Sequence, residues 1–342
     1  MKIRDANIEF LRVAMMYVIV LGHMSAMGPY SGQLAVHAVF SQSYFATNAF
    51  VFITGWYGLS FKMGKVWRLL GYGLFASLLL SSMSPIVFGC WRFNFSLGWF
   101  GNAYMALILV SPILNAGIET LHKKRMLNKA WMLLAAASFL SWMPLGPNIQ
   151  LTPPGWSGNS TLAMLFIYIS GRVAAHSGWV RSVNMSRALF SFVLLMLINI
   201  IWSAMALYAH GNVVLSTVFV ATRCNNSPLT IALAFSVFLV FKSLRMPQML
   251  GRMACFVSPS VMSIYLLHLG AFPEVSRPLF YKYAFMTADS SMGKFASFVL
   301  AATWVYLICL TIDIVRRLAI QGVLNLFVRR ECFLRKILRK DV

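Results

Sequence analysis

The sequence predicts an all-α protein, a polytopic transmembrane bundle of about ten spans with both termini cytoplasmic. Three observations predict it. Of 342 residues, 59% are apolar and only 11% charged, whereas soluble domains carry roughly a quarter charged residues. The apolar residues gather into runs that approach the about 20 residues a helix needs to cross a hydrocarbon core. Basic residues then crowd into alternate connections between the runs. Lipid cannot satisfy open backbone groups, which favours helices. A spanning barrel would need shorter segments of alternating character, and the sequence has no such pattern.

The runs fall, in order, at Ile8–Met27, Ser43–Phe61, Trp67–Val87, Phe100–Ala116, Ala130–Met143, Ser160–Ala175, Ala188–Tyr208, Ser227–Phe241, Cys255–Ala271 and Phe295–Leu318. The fifth is short and the ninth is the least hydrophobic. Tyr44, Trp67, Trp99, Trp142 and Tyr208 stand near run ends, where amphipathic rings favour the interface. The first run resembles a secretory signal. Glu9 and Arg12 within it, and His23 near its end, instead mark it as a retained, working helix.

The net charge is +21, from 29 Lys and Arg against 8 Asp and Glu. In a soluble protein that excess would suggest nucleic acid. Its placement excludes that reading. Arg92, Arg223, Arg277, Lys282 and Lys294 lie in one set of loops, and the other 24 of the 29 lie on the opposite side. The positive-inside rule makes the richer side cytoplasmic. A membrane domain over 1–320 is followed by a tail, 321–342, that mixes basic pairs with Val323, Leu324, Phe327, Phe333 and Ile337. This pattern predicts an amphipathic helix on anionic membrane lipids. The five cysteines have no metal-ligand spacing. Cys90 and Cys224 fall in outer loops where a disulfide is conceivable, but free buried thiols are the favoured expectation.

Glu9, Arg12 and His23 fall within about 60° of one another at helical spacing. From Glu9 to His23 the rise is about 21 Å. One face of the first helix thus carries polar groups from the inner interface towards the outer one. Glu9 and Arg12 could simply pair at that interface, and His23 could be a structural histidine. Ionisable groups within a span are costly, however, and are read first as functional. The ninth run ends Ser263-Ile264-Tyr265-Leu266-Leu267-His268, which puts His268 at the same depth as His23. Asn48, Asn102 and Tyr104 open the second and fourth helices on that side and could join His23 as neutral hydrogen-bonding groups. Helix packing is the alternative for each. No nucleotide-loop, serine-hydrolase, zinc-protease or CxxC pattern is present, and no metal is expected.

Asn7-Ile8-Glu9-Phe10-Leu11-Arg12 with Val20-Leu21-Gly22-His23 resembles the first helix of the acyltransferase-three family of membrane proteins. Asn48-Ala49-Phe50-Val51-Phe52-Ile53-Thr54-Gly55-Trp56-Tyr57 resembles its second-helix signature, and Lys65-Val66-Trp67-Arg68 its basic-x-x-Arg element. Trp99-Phe100, Tyr104, Ser111-Pro112-Ile113-Leu114-Asn115 and the late segment ending in His268 follow in the same order. The resemblance covers about residues 7–310. Thr54 stands where Ser is usual, and Lys65 replaces an Arg. No carboxylate is evident beside His23, which leaves open what orients its ring.

The resemblance implies an acyl-CoA-dependent O-acyltransferase of the bacterial inner membrane. Its donor would most often be acetyl-CoA and its acceptor a glycan or lipid-linked glycan hydroxyl outside. It further implies that Arg12, Lys65 and Arg68 serve the donor. His23 would be the base, with His268, Asn48 and Tyr104 around it. A glycan or lipid carrier without chemistry is the alternative. Carriers tend to show inverted repeats and broken helices, and neither is evident in the sequence.

Overall fold

The computed structural model describes residues 5–27, 34–142, 160–208, 225–282 and 291–338. All regular structure among them is helical. The elements are α1 (Ala6–Met27), α2 (Leu34–Tyr57), α3 (Met63–Ser82), α4 (Ser84–Phe88), α5 (Gly98–Lys123), α6 (Leu127–Trp142) and α7 (Thr161–His176). After them come α8 (Gly178–Arg181), α9 (Met185–Tyr208), α10 (Pro228–Ser243), α11 (Gln248–Val257), α12 (Val261–Tyr265), α13 (Pro273–Arg277) and α14 (Ser291–Leu338). Each of the ten apolar runs falls largely on helix. Among the described residues, five stretches are both long and apolar enough to cross a membrane: Ala6–Met24, Gly98–Lys123, Met185–Trp202, Gln248–Gly270 and Phe295–Gly322. Thr161–His176 and Pro228–Ser243 are shorter apolar helices.

The ninth run departs from expectation. It is not one regular helix. A 3-10 turn, Ser258–Ser260, separates α11 from α12, and a π turn, Leu266–Gly270, follows. Pro259 has no N–H to continue an α-helical ladder. The third run is also divided: α3 stops at Ser82, and α4 begins again with Pro85 in its first turn. The expected tail helix continues α14 without a break to Leu338; side chains beyond Gly322 lie outside the described residues. So do Cys224 and the 144–159 loop. Of the cysteines described, Cys309 is buried and Cys255 half-buried, but Cys90 is exposed, against the expectation of a buried thiol.

Local contacts give the helix directions. The Tyr57 hydroxyl donates to Asp5 at 3.2 Å, while Gly22 presses on Ser43, so α1 and α2 run antiparallel. Asn7 donates to the Leu244 carbonyl, and Asn48 to the Asn225 carbonyl at 2.8 Å, so α10 runs with α2. Tyr17 bonds Thr303 at 2.7 Å, and Arg317 donates to the Phe256 carbonyl at 3.1 Å. Helix α14 therefore runs towards the end at which α1 begins. That end carries Arg12, Lys65, Arg68, Arg316 and Arg317 and is called the basic end below. The opposite end holds His23 and His268.

Helix α1 lies in the middle of the bundle, packed on α2, α10, α11, α12 and α14. Its Ile8, Leu11, Met16, Val20 and Met24 are buried. Close approach to neighbours depends on small residues, as membrane bundles require. A Cβ on Gly55 would strike the Tyr168 carbonyl, and one on Gly171 the Phe52 carbonyl. These glycines let α2 and α7 cross with backbones in contact. Outward faces are apolar instead: Phe190, Leu197 and Ile201 on α9, and Leu300, Trp304 and Val315 on α14, are exposed. Such a surface suits lipid as solvent and marks a membrane protein.

Candidate functional site

A cavity of about 330 Å³ lies between α1, α2, α3, α5 and the broken ninth run. Arg12, Met16, Ile19 and His23 line it from α1, so the spacing read from the sequence does place one face of that helix on one space. Lys65, Arg68 and Tyr72 line it from α3, and Trp99, Phe100 and Tyr104 from α5. Ser258 and Pro259 of the 3-10 turn complete the wall together with Tyr265. The cavity is thus cationic at the basic end, apolar and aromatic along its length, and bounded by an imidazole at the far end.

Each polar group has a structural support. Glu9 is buried. One of its oxygens lies 3.4 Å from Arg12 Nη1, and the other accepts from the Ser258 hydroxyl. A buried carboxylate needs such partners, and here it anchors two lining residues at once. Lys65 Nζ donates to the Ser60 carbonyl at 2.9 Å and to its hydroxyl at 3.0 Å. Partial burial, with Lys62 and Arg68 nearby, holds the Lys65 ammonium below the usual lysine range. The preceding turn is itself pinned. Tyr168 accepts from the Leu59 N–H at 3.0 Å and donates to Asn115 at 2.7 Å, while Asn115 donates to the Leu59 carbonyl at 2.7 Å.

Arg316 lies behind Tyr72, its guanidinium 4.6 Å from the ring centre. It reaches the fully buried Asp313 at 2.7 and 2.8 Å. The contact of Arg316 with Tyr72 ties α14 to α3 behind a lining residue, and Arg316 itself does not line the cavity.

At the other end His23 Nδ1 lies 2.9 Å from His268 Nε2. His268 is completely buried, and its Nδ1 lies 2.6 Å from the Ile264 carbonyl. Tyr265 packs edge-on against the His268 ring, 6.2 Å between centres, and its hydroxyl accepts from the Phe100 N–H at 3.2 Å. Gly98, in the left-handed region at φ 63°, lets the start of α5 sit against Tyr265 and Gly270.

The structure brings His23, Arg12, Lys65, Arg68 and Tyr104 to one cavity. It does not assemble the neutral cluster expected beside His23. Asn48 is fully buried outside the cavity, and its Nδ2 donates to the Asn225 carbonyl and Thr230. Asn102 is exposed. The Tyr104 hydroxyl meets Thr54 instead, about 16 Å along α2 from the Ser43 contact. His268 touches His23 rather than the cavity. Ser258 was not singled out in the sequence, although Ser-Pro-Ser inside an apolar run was a visible sign of a break. Among the described residues, no group of three or more His, Cys, Asp or Glu could hold a metal ion.

No sequence family, no curated protein and no solved structure matches this chain.

Proposed function

We propose that this protein is a multi-pass acyltransferase of the bacterial inner membrane, with ten spans and both termini cytoplasmic. It moves an acyl group, in the first instance acetyl, from acyl-CoA to a hydroxyl of a cell-surface or periplasmic glycan. The observation that carries the reading is the cavity, cationic at Arg12, Lys65 and Arg68 and ending at His23. Charge-assisted bonds from guanidinium and ammonium groups suit the CoA phosphates. The largely apolar and aromatic lining between these ends suits the pantetheine arm, which would bring its thioester to the imidazole. His23 takes the proton of the attacking hydroxyl as a general base. The ordered resemblance to acyltransferase-three proteins supports the same reading independently of the cavity.

The test is release of free CoA, and appearance of the glycan ester, by purified protein in lipid nanodiscs given acetyl-CoA and a glycan acceptor. Release that depends on the acceptor is expected. No release with any of a panel of bacterial glycans would turn the reading towards a carrier.

One observation favours that second reading. The ninth run is interrupted at Ser258–Ser260, and the Ser260 and Ser263 hydroxyls are buried without partners. Interrupted helices occur in transporters. A carrier would move labelled glycan across vesicle membranes in the absence of any acyl-CoA; the enzyme would not.

A further inference from the structure

The sequence left open what orients His23, since no carboxylate was evident beside it. Among the described residues, no hydrogen bond or ion pair joins a carboxylate to either ring of the His23–His268 pair. We propose that His268 is the positioning residue of the site, fixing His23 as the Nδ1–H tautomer so that Nε2 keeps its lone pair for the substrate hydroxyl.

The argument starts from one backbone carbonyl. A carbonyl oxygen only accepts, so His268 Nδ1, 2.6 Å from Ile264 O, must carry a hydrogen. A neutral imidazole carries one N–H. His268 Nε2 is therefore a lone pair. It faces His23 Nδ1 at 2.9 Å, so His23 Nδ1 must be the donor. The remaining nitrogen of His23, Nε2, is then unprotonated, and His23 is the member of the pair that lines the cavity. A chain of two rings hands the polarity of Ile264 to the reacting nitrogen. The inverse tautomer would turn an N–H towards the cavity and leave no base there. Which nitrogen of a histidine carries the proton is commonly set by the hydrogen bond the other makes.

This positioning supports the chemistry proposed above and rests on that reading for its purpose. The acceptor hydroxyl gives its proton to His23 Nε2, and its oxygen attacks the thioester carbonyl. The new C–O bond forms and the C–S bond breaks. The proton then passes from Nε2 to the departing sulfur, leaving an ester and a free thiol. While His23 is cationic, its Nδ1–H already points at the His268 lone pair, a neutral acceptor that steadies the imidazolium through a hydrogen bond alone.

The test reads the tautomer directly, apart from activity. In full-length protein with 15N-labelled histidine, the wild type should show His23 with a pyrrole-like Nδ1 and a pyridine-like Nε2. His268→Leu should lose that preference. His268→Gln, which places a carbonyl oxygen near the vacated Nε2 position, should restore it. Acyl transfer should follow the same order, with a loss on the order of 100-fold in His268→Leu, the range of a lost general base, and partial recovery in His268→Gln. A wild-type His23 with a pyridine-like Nδ1 would overturn the inference even if acyl transfer is demonstrated. The expected tautomer in a protein that transfers nothing would leave the pair in place and remove the enzyme reading. A folded His268→Leu protein that keeps the wild-type His23 tautomer would also overturn it.

Discussion

Arg12 and His23 stand on one face of α1 and line the same cavity, about 16 Å apart along the helix axis. That separation divides the site. In the proposed acyltransferase, the anionic part of the donor would stay at the basic end and its pantetheine arm would reach the imidazole. The division lets donor binding and proton transfer be perturbed separately.

Donor binding is tested at α3. Arg68→Ala should raise the acetyl-CoA KM with little change in kcat, because a lost phosphate contact is lost equally in ground and transition states. Lys65→Ala should do the same more weakly, since a flexible ammonium makes a less defined phosphate contact. Unchanged KM in both variants would return these residues to simple positive-inside bias.

Lys65 also gives a pH dependence. Its ammonium is held below the usual lysine range by partial burial and the neighbouring Lys62 and Arg68. The charge is present at low pH and is lost as pH rises through that lowered value. The acetyl-CoA KM should therefore climb on the alkaline side earlier than for an ordinary lysine. Lys65→Arg keeps its charge throughout this range, so its KM should stay flat there. Parallel pH curves for the two proteins would remove Lys65 from donor binding.

How much of this was legible in the sequence depends on what periodicity can carry. The spacing of Glu9, Arg12 and His23 put Arg12 and His23 on the face of α1 that lines the cavity, with Glu9 holding Arg12, because a helix repeats on itself. Run lengths gave the helices for the same reason. Which neighbour faces a residue depends on how helices pack, and no single sequence states that. His268 was expected at the depth of His23 and beside it, but that the two rings bond directly is visible only in the structure. Asn48 was expected at the site, yet it closes a joint between α2 and α10. Asn115 belonged to a quoted motif, and only the structure shows it holding the turn that presents Lys65. The π turn before Ala271 has no sequence signature that was recognised, although it forms the segment that carries His268.

The α2–α7 crossing predicts a stability effect with no catalytic residue involved. Gly171→Leu would drive a side chain into the Phe52 carbonyl, and overpacking of this kind costs about 1–3 kcal/mol. Reduced yield of folded protein and a lower Tm in detergent are expected, with Gly117→Leu, at an open position, as the neutral control. Equal Tm values would mean that the two helices do not cross this closely.

Orientation is tested by reporters. A fusion after Val342 should be active only in its cytoplasmic form, and a fusion within the 144–159 loop only in its external form. An internal 144–159 loop would invert the assignment of the basic end as the side where acyl-CoA arrives.

His23 carries the sharpest prediction. It terminates the cavity, its Nδ1 is engaged by His268 at 2.9 Å, and its Nε2 is the nitrogen left for chemistry. His23→Asn keeps a compact hydrogen-bonding side chain but removes the base. A structural histidine bonded to a neighbour should survive that change with modest loss, because an amide can still donate to His268. A general base cannot be replaced in this way, and its loss costs about 10²–10⁴ in rate. His23→Asn should therefore insert and fold like the wild type. It should bind acetyl-CoA with similar affinity, because Arg12, Lys65 and Arg68 are untouched. Ester formation on the glycan should fall by at least about 100-fold, the low end of that range. The measurement is ester content of the glycan at matched protein level, alongside acetyl-CoA affinity by titration. Near-wild-type ester content in a folded His23→Asn protein would sink the mechanism and leave the cavity as a passage rather than a reaction site.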